Sequence, residues 1–163
     1  MVVGISAGGG LAAALTLRRR AAGLVDLAGQ VLVYPMLDDP TVQRSEATGA
    51  RGWPPEDNAF GWRSYLGQEP GAEGVSAFAA PGRCEDLSGL PPTCIGVGTA
   101  DLFHDEAVDY ANRLRDAAVP TQLEVVAGAF HGFDRAGPHT AIARRFNAHR
   151  SAATRRFLDE GIK

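Results

Sequence analysis

The sequence predicts an α/β domain in which about four parallel strands are flanked by helices. Apolar runs of strand length alternate along the chain with segments of helical character, which is the order that a parallel sheet requires. Two of these runs, over residues 30–36 and 93–97, are apolar almost throughout, as is typical of strands covered on both faces. A length of 163 residues suits one domain with its own core. We therefore expect residues 1–163 to form a single domain.

The first half of the chain contains two predicted strands and two predicted helices. A β-prone run over residues 2–5 ends at a serine and a glycine cluster, and residues 11–20, rich in Ala and Leu, then favour a helix. The strand over residues 30–36 is followed by a polar segment, residues 38–91, in which only residues 60–66 favour a helix. A connection of that length inside a small domain usually has a function of its own.

The second half contains two further strands, each followed by a helix. Residues 93–97 and 123–126 are the predicted strands. Residues 104–118 begin with acidic side chains and end with arginines, an arrangement that the helix dipole favours. Residues 140–158 carry an apolar stripe at helical spacing. These elements complete the alternation of strands and helices.

The composition excludes several classes of partner. The formal net charge is −3, so the chain lacks the basic character of proteins that bind nucleic acid or an anionic membrane. Its apolar N-terminal stretch is too short and too rich in glycine to span a membrane, and no positive charge precedes it as in a signal peptide. Cys84 and Cys94 stand in no metal-ligand spacing. We expect a cytoplasmic protein without a metal or another cofactor.

Residues 4–8, Gly-Ile-Ser-Ala-Gly, match the G-x-S-x-G nucleophile elbow. In this motif the serine lies at a sharp turn between a strand and a helix, and a strained backbone lifts its hydroxyl above the sheet. The flanking glycines would prevent Cβ atoms on either side of the serine from colliding. A strand before Ser6 and a helix after it are predicted here, and this context favours a nucleophile. The alternative is a glycine-rich turn with an incidental serine.

An acid and a histidine follow Ser6 at the ends of later strands. A serine hydroxyl becomes a good nucleophile when a base accepts its proton and a third group orients that base. Asp101 follows the strand over residues 93–97, and His131 follows the strand over residues 123–126. Because the carboxyl ends of parallel strands lie at one edge, the three side chains should converge there. The sequence predicts Ser6 as nucleophile, Asp101 as orienting acid and His131 as base.

Other residues compete for these roles. Asp38 and Asp39 also follow a strand, so either one stays open as the orienting acid. Asp105 and Glu106 suit the first turn of a helix and need no catalytic role. Three histidines on predicted helices or their approaches are expected to be solvated: His104, His139 and His149. Three aromatic residues are candidates for an acyl pocket or for packing alone: Trp53, Trp62 and Phe103.

With these motifs in place, the sequence resembles the hormone-sensitive-lipase-like branch of the α/β-hydrolases, the bacterial family IV esterases. The matching segments are Gly-Ile-Ser-Ala-Gly-Gly at 4–9, Tyr-Pro-Met-Leu-Asp at 34–38, Leu-Ser-Gly-Leu-Pro-Pro-Thr at 87–93, Asp-Leu-Phe-His-Asp-Glu at 101–106 and His-Gly-Phe at 131–133. They are spread over the whole chain and resemble the second half of that fold. The resemblance implies a truncated α/β-hydrolase fold. It also implies hydrolysis of small-molecule, short-chain carboxylic esters through an acyl-enzyme.

The sequence departs from this family at two points. Ile5 stands where an aspartate is common, which is a small change. The His-Gly-Gly-Gly loop that precedes the elbow in the family does not occur in the 163 residues. The backbone N–H of Ala7 is then the one oxyanion donor that the resemblance assigns, and losing one such donor typically lowers turnover about 10²–10³-fold. The competing hypothesis is a weakened or silent hydrolase-derived module, retained for association.

The same resemblance predicts an oligomer. The strand before the nucleophile is interior in the family, whereas residues 2–6 would have a neighbouring strand on one side only. Unpaired N–H and C=O groups on an apolar strand favour pairing with another chain, and bared apolar helix faces usually mark an interface. We expect a homo-oligomer, most simply a two-fold dimer, with residues 2–6 and the following helix at or near the contact.

Overall fold

Four parallel strands form one sheet in the part of the chain that the structure describes. The computed structural model describes residues 1–24, 27–44 and 52–161. The strands lie in the sequential order β1-β2-β3-β4, and every neighbouring pair is parallel. Their bounds are Val2–Ile5 for β1, Gln30–Val33 for β2, Thr93–Gly98 for β3 and Thr121–Val126 for β4. The predicted α/β fold class, with about four parallel strands and flanking helices, is confirmed.

Helices occupy the connections between these strands and the end of the chain. Their bounds are Ala7–Ala21 for α1, Thr41–Arg44 for α2, Pro55–Leu66 for α3, His104–Asp116 for α4, Phe133–Ala136 for α5 and Ala141–Gly161 for α6. A single 3₁₀ turn at Pro81–Arg83 precedes β3. No helix within the described ranges is both long enough and apolar enough to cross a bilayer.

The core lies around the two central strands. Every residue of β2 and β3 is buried, as the near-continuous apolar runs in the sequence predict. Leu32 and Ile95 pair in register and are fully buried. Helices α1, α4 and α6 add large side chains to the same cluster: Leu17, Tyr110, Leu114, Phe146 and Phe157. A rigid sheet of this kind fixes the positions of the loops at its carboxyl edge.

Strand β2 is shorter than predicted, and its end has a physical cause. The sequence predicts a strand through residue 36, but β2 ends at Val33. Tyr34 follows with a φ of 34°, which interrupts extended backbone. Pro35 then lacks the N–H that a further ladder bond would need. The chain therefore turns out of the sheet beside the predicted site.

The segment over residues 38–91 contains more structure than its composition predicts. Helix α3 begins at Pro55, ahead of the predicted residue 60, because proline suits the first turn of a helix. Trp62 on this helix is buried, and it packs in a second apolar cluster with Met36 and Phe103. Helix α1 also begins earlier than residue 11, directly after Ser6. Helix α5 was not predicted, since it has only four residues and lacks a periodic pattern.

Candidate active site

Ser6 lies at the turn between β1 and α1 in a strained conformation. Its φ is 57° and its ψ is −126°, which a residue with a side chain adopts only where the surrounding structure enforces it. The Ser6 N–H donates to the Val33 carbonyl at 2.9 Å, and this bond fixes the turn to the neighbouring strand. The predicted strand–serine–helix arrangement with a strained serine is therefore present.

One of the two glycines of the elbow has the predicted steric role, and the other does not. A Cβ on Gly4 would lie 2.1 Å from the carbonyl oxygen of Gly8, so no side chain fits at that position. A Cβ on Gly8 would meet no atom within 4 Å. The prediction that both glycines prevent a collision was wrong for Gly8, because its Cβ direction leads away from the turn into open space.

The structure brings Ser6, His131 and Asp101 together in a hydrogen-bonded row. The Ser6 Oγ lies 2.9 Å from Nε2 of His131. On the other side of the ring, Nδ1 of His131 lies 3.0 Å from Oδ2 and 3.2 Å from Oδ1 of Asp101. Both nitrogens of one imidazole are thus occupied, one by a hydroxyl and one by a carboxylate. This is the arrangement in which an imidazole can accept a proton from a serine while a carboxylate holds its tautomer.

Asp101 is itself held in place. Its carboxylate is buried, and Oδ1 also accepts the backbone N–H of Phe103 at 2.9 Å. A buried carboxylate needs such donors because its desolvation would otherwise be costly. The loop after β3 therefore presents Asp101 in a fixed orientation toward His131.

Aromatic rings surround the imidazole of His131. The Tyr34 ring makes an edge contact with a centroid distance of 4.6 Å, and the Phe103 ring makes another at 5.2 Å. The Trp53 ring lies at 6.5 Å in a tilted orientation. His131 as a whole is only 8% exposed. These contacts restrict rotation of the ring, so the imidazole stays between Ser6 and Asp101.

An apolar cavity of about 180 Å³ opens beside the elbow. Its walls come from α1, from the loop after β2 and from α3: Ala7, Gly10, Leu11, Met36, Trp53, Gly61, Trp62, Tyr65 and Ala79. Ala7, the predicted oxyanion donor, is the first residue of α1, where backbone N–H groups have no intrahelical acceptor. Trp53 and Trp62 line the cavity, whereas Phe103 packs against His131 instead.

The competing acid Asp39 has a different partner. Its carboxylate forms a two-point ion pair with Arg83, at 2.6 and 2.9 Å, and also accepts the Gly71 N–H at 2.5 Å. Asp39 is fully buried in this network. His131 has its hydrogen bonds with Asp101, so the alternative that the sequence left open for Asp39 is not what the geometry supports.

Two of the histidines that were expected to be solvated contact carboxylates at the surface. Nδ1 of His149 lies 2.7 Å from Glu124, and Nδ1 of His104 lies 2.7 Å from Asp105. His139 is exposed. None of these contacts involves Ser6 or Asp101.

Several contacts around the site were not predicted from the sequence. Tyr34 and Asp134, both buried, form a hydrogen bond beside His131. Arg83 and Glu106 hold the loop after β2. Tyr34 directly follows a buried strand, and Asp134 lies three residues after the predicted base. These positions were the sequence features that could have indicated residues near the site. Tyr34 and Asp134 are 100 positions apart in sequence, and Arg83 and Glu106 are 44 and 69 positions from their partners, so no local pattern could reveal these pairings.

The sheet order, the strained serine and the Ser6–His131–Asp101 row agree with the comparison to known sequence families. Residues 1–135 match the family described as alpha/beta hydrolase fold. The chain belongs to the alpha/beta hydrolase fold family. This confirms the family resemblance that the motifs predicted.

Individual relatives in this family are esterases or hydrolases by name. The chain is 33% identical over 134 residues to Esterase LipI of Mycobacterium tuberculosis, covering 81% of this chain and 42% of that protein. It is 30% identical over 139 residues to ethyl acetate hydrolase of Pseudomonas putida, covering 83% of this chain and 43% of that protein. The chain thus spans less than half the length of these curated relatives.

Solved structures give the same result for the fold. A bacterial heroin esterase superposes with a TM-score of 0.88 at 37% identity, over 96% of this chain and 50% of that one. Esterase LipW from Mycobacterium marinum superposes with a TM-score of 0.85 at 36% identity, over 99% of this chain and 49% of that one. The chain spans about half the length of both structures.

Proposed function

We propose that this protein hydrolyses short-chain carboxylic esters through an acyl-enzyme formed on Ser6. The observation that carries the proposal is the row of hydrogen bonds from Ser6 Oγ to His131 Nε2 at 2.9 Å and from His131 Nδ1 to Asp101 at 3.0 Å. The names of relatives that cover most of this chain support the same class of reaction. Small-molecule esters are the proposed substrates.

The geometry supports a double-displacement mechanism. His131 Nε2 accepts the Ser6 proton as the oxygen attacks the ester carbonyl, and the tetrahedral intermediate then releases the alcohol, which takes that proton from His131. A water molecule attacks the acyl-enzyme in the same way, losing its proton to His131, and Ser6 is regenerated as the acid departs. Asp101 holds the Nδ1–H tautomer and stabilises the imidazolium while it exists.

The surroundings of Ser6 suit a small apolar ester. The N–H of Ala7, at the first position of α1, can donate to the developing oxyanion, and the positive end of the helix dipole lies there. The cavity that begins at Ala7 has about 180 Å³ of space and aromatic walls from Trp53, Trp62 and Tyr65. We propose that this cavity holds the acyl or alcohol group of the ester, which needs no charged partner.

Two measurements test the proposal. The folded protein is treated with a fluorophosphonate, and mass spectrometry should locate one adduct on Ser6, because such reagents trap an activated serine. Hydrolysis of 4-nitrophenyl acetate by the wild type should disappear in Ser6→Ala. A folded wild type with neither adduct nor turnover would favour the alternative, a silent hydrolase-derived module.

We further propose that the protein associates with a second copy of itself through β1 and α1. Among the described strands, β1 has only β2 as a neighbour, so one of its edges offers unpaired N–H and C=O groups. Val3, Leu11 and Leu15 on these two elements are about half exposed, at 47%, 54% and 48%. A two-fold axis beside β1 would pair the two edges antiparallel and cover the same apolar residues on both copies.

Light scattering tests this association with a matched pair of variants. Leu15→Lys on α1 should shift the mass of the particle toward the monomer. Leu158→Lys on α6, where the leucine is equally exposed at 47%, should leave it unchanged. A wild-type protein that is monomeric at micromolar concentration, or equal behaviour of both variants, would contradict the proposal.

A further inference from the structure

Tyr34 combines backbone strain with complete burial directly beside His131. Its φ of 34° lies in the left-handed region, which a residue with a Cβ adopts at a cost. Its N–H donates to the Gly96 carbonyl at 2.6 Å, so the strained residue is bound to the central strand β3. Tyr34 is 1% exposed, and its ring makes an edge contact with the imidazole at a centroid distance of 4.6 Å. Strain of this kind persists only where surrounding contacts enforce it.

The Tyr34 hydroxyl joins the strand side of the site to the helices that follow His131. It donates to Oδ1 of Asp134 at 2.8 Å, and Asp134, on α5, is buried. Oδ2 of the same carboxylate lies 3.7 Å from the Arg150 guanidinium on α6. Burial, together with the Asp134 carboxylate, raises the pKa of Tyr34 well above its usual range, so the hydroxyl stays a donor. The buried hydroxyl therefore has an acceptor, and the carboxylate has both a donor and a nearby cation, which favours a rigid arrangement.

We propose that Tyr34 is a positioning residue for His131 and that it acts through its bond to Asp134. His131 lies in the loop that leads into α5, and Asp134 lies three residues later on that helix, so fixing the carboxylate limits the movement of the imidazole. The ring of Tyr34 makes an edge contact with the imidazole, and its hydroxyl bonds to Asp134 on α5. The inference rests on the proposed function of Ser6, because it describes how the base for that serine is oriented.

Loss of the Tyr34 hydroxyl should affect the rate because proton transfer occurs only over a short distance. A base must remain within hydrogen-bond distance of the hydroxyl, and a misplacement of about 1 Å can cost two orders of magnitude in rate. Loss of one hydrogen bond that restrains the loop should cost less than that. We expect Tyr34→Phe to lower kcat about tenfold with KM unchanged, since ground-state binding of the ester does not involve Tyr34.

The experiment compares variants by two readouts, one of which needs no turnover. The first is the rate at which a fluorophosphonate labels Ser6, together with kcat and KM for 4-nitrophenyl acetate. The second is the low-field proton resonance of the His131–Asp101 hydrogen bond. Tyr110→Phe is the matched control, because the Tyr110 hydroxyl is equally buried and has no hydrogen-bond partner among the described residues. Asp134→Asn is the conservative variant, since its amide oxygen can still accept from Tyr34.

The inference predicts a specific pattern across these variants. Tyr34→Phe should slow labelling about tenfold and shift or broaden the resonance, whereas Tyr110→Phe and Asp134→Asn should stay within about threefold of wild type. A Tyr34→Phe variant that only melts at a lower temperature, with the labelling rate and resonance of wild type, would overturn the inference. If the wild type is not labelled at all, the proposed function fails, and the resonance alone decides the role of Tyr34.

Discussion

The loops after β2 and β3 make an instructive comparison, because each carries a buried aspartate at the same edge of the sheet. Asp101 in the second loop is 2% exposed and bonds to His131. Asp39 in the first loop is fully buried and bonds to Arg83 at two points. One carboxylate bonds to the imidazole, and the other holds Gly71 and Arg83 against the loop after β2. A carboxylate at a strand end is therefore only a candidate, and its partner decides the role.

A third buried carboxyl links the two loops. Glu106 lies on α4, which follows the Asp101 loop, and its Oε1 accepts the Leu37 N–H at 2.7 Å. The Thr41 hydroxyl also donates to Glu106. Leu37 lies in the loop after β2 and Thr41 begins α2, so the two residues lie on either side of Asp39 in sequence. Glu106 thus holds the two loops in a fixed relation, a role that its predicted place in the first turn of a helix does not indicate.

Among the substitutions that distinguish the roles of the two loops, Asp101→Asn should have the largest effect, and this effect should be on turnover. We expect turnover to fall by about 10⁴, because an amide cannot hold the required tautomer of His131 or stabilise the imidazolium. The free energy of unfolding should change little, since the amide oxygen can still accept the Phe103 N–H. Steady-state kinetics and urea unfolding check both points. Asp39→Asn, the matched variant in the other loop, should keep most of its turnover per folded molecule. If Asp39→Asn lost turnover and Asp101→Asn kept it, Asp39 would be the acid that orients His131.

Glu106→Gln should remove a pH dependence of stability. Burial raises the pKa of Glu106 to about 8, while the hydrogen bonds from Leu37 and Thr41 lower it in part. The unfolded carboxyl ionises near its usual pKa of about 4.5, so ionisation favours the unfolded state between these values. The stabilisation is complete below pH 4.5 and is lost as the pH rises toward 8. We expect a wild-type loss on the order of 4 kcal/mol from pH 5 to 8.

Urea unfolding at several pH values measures that loss. Gln at position 106 has no titrating proton and can still accept from Leu37, so the stability of the variant should be nearly constant over the same range. Equal slopes for the wild type and Glu106→Gln would show that another group causes any dependence.

Asp39→Asn should lower the free energy of unfolding by about 3 kcal/mol. The change removes one partner of a buried ion pair, and the partly buried Arg83 guanidinium then keeps its charge without a carboxylate. The value should lie at the low end for such pairs because Arg83 retains access to water. Urea unfolding of Asp39→Asn, Arg83→Gln and the double variant gives the coupling energy. A coupling energy near zero would mean that the two-point ion pair between Asp39 and Arg83 does not stabilise the folded protein.

The smallest effect is expected for Asp105→Asn, a surface counterpart close to Asp101 in sequence. Its side chain is 95% exposed and contacts His104 at 2.7 Å, in the first turn of α4. Exposed pairs and helix-end charges contribute less than about 1 kcal/mol. Thermal unfolding should place this variant close to wild type, with turnover unchanged. A loss as large as that of Asp39→Asn would break the distinction between buried and exposed carboxylates.

The sequence alone determined much of this protein. Alternating apolar runs and helical segments predicted four parallel strands, and all four are present close to their predicted positions. The motif around Ser6 and the order Ser6, Asp101, His131 predicted three side chains at one edge, and the structure brings them into hydrogen-bond contact. These features follow from local steric rules and from the geometry of parallel sheets, which act over a few residues or apply to every such sheet.

Only the tertiary structure decided which partners these side chains have. The choice of Asp101 over Asp39, the edge contact of Phe103 with His131 and the bond from Tyr34 to Asp134 join residues 28 to 100 positions apart. The cavity also brings side chains of α1 together with Trp53 and side chains of α3, which are about 50 residues away in sequence. Such contacts depend on distances of a few ångströms set by the packing of the whole core. Spacing along the chain cannot encode them, since many partners are equally compatible with one local pattern.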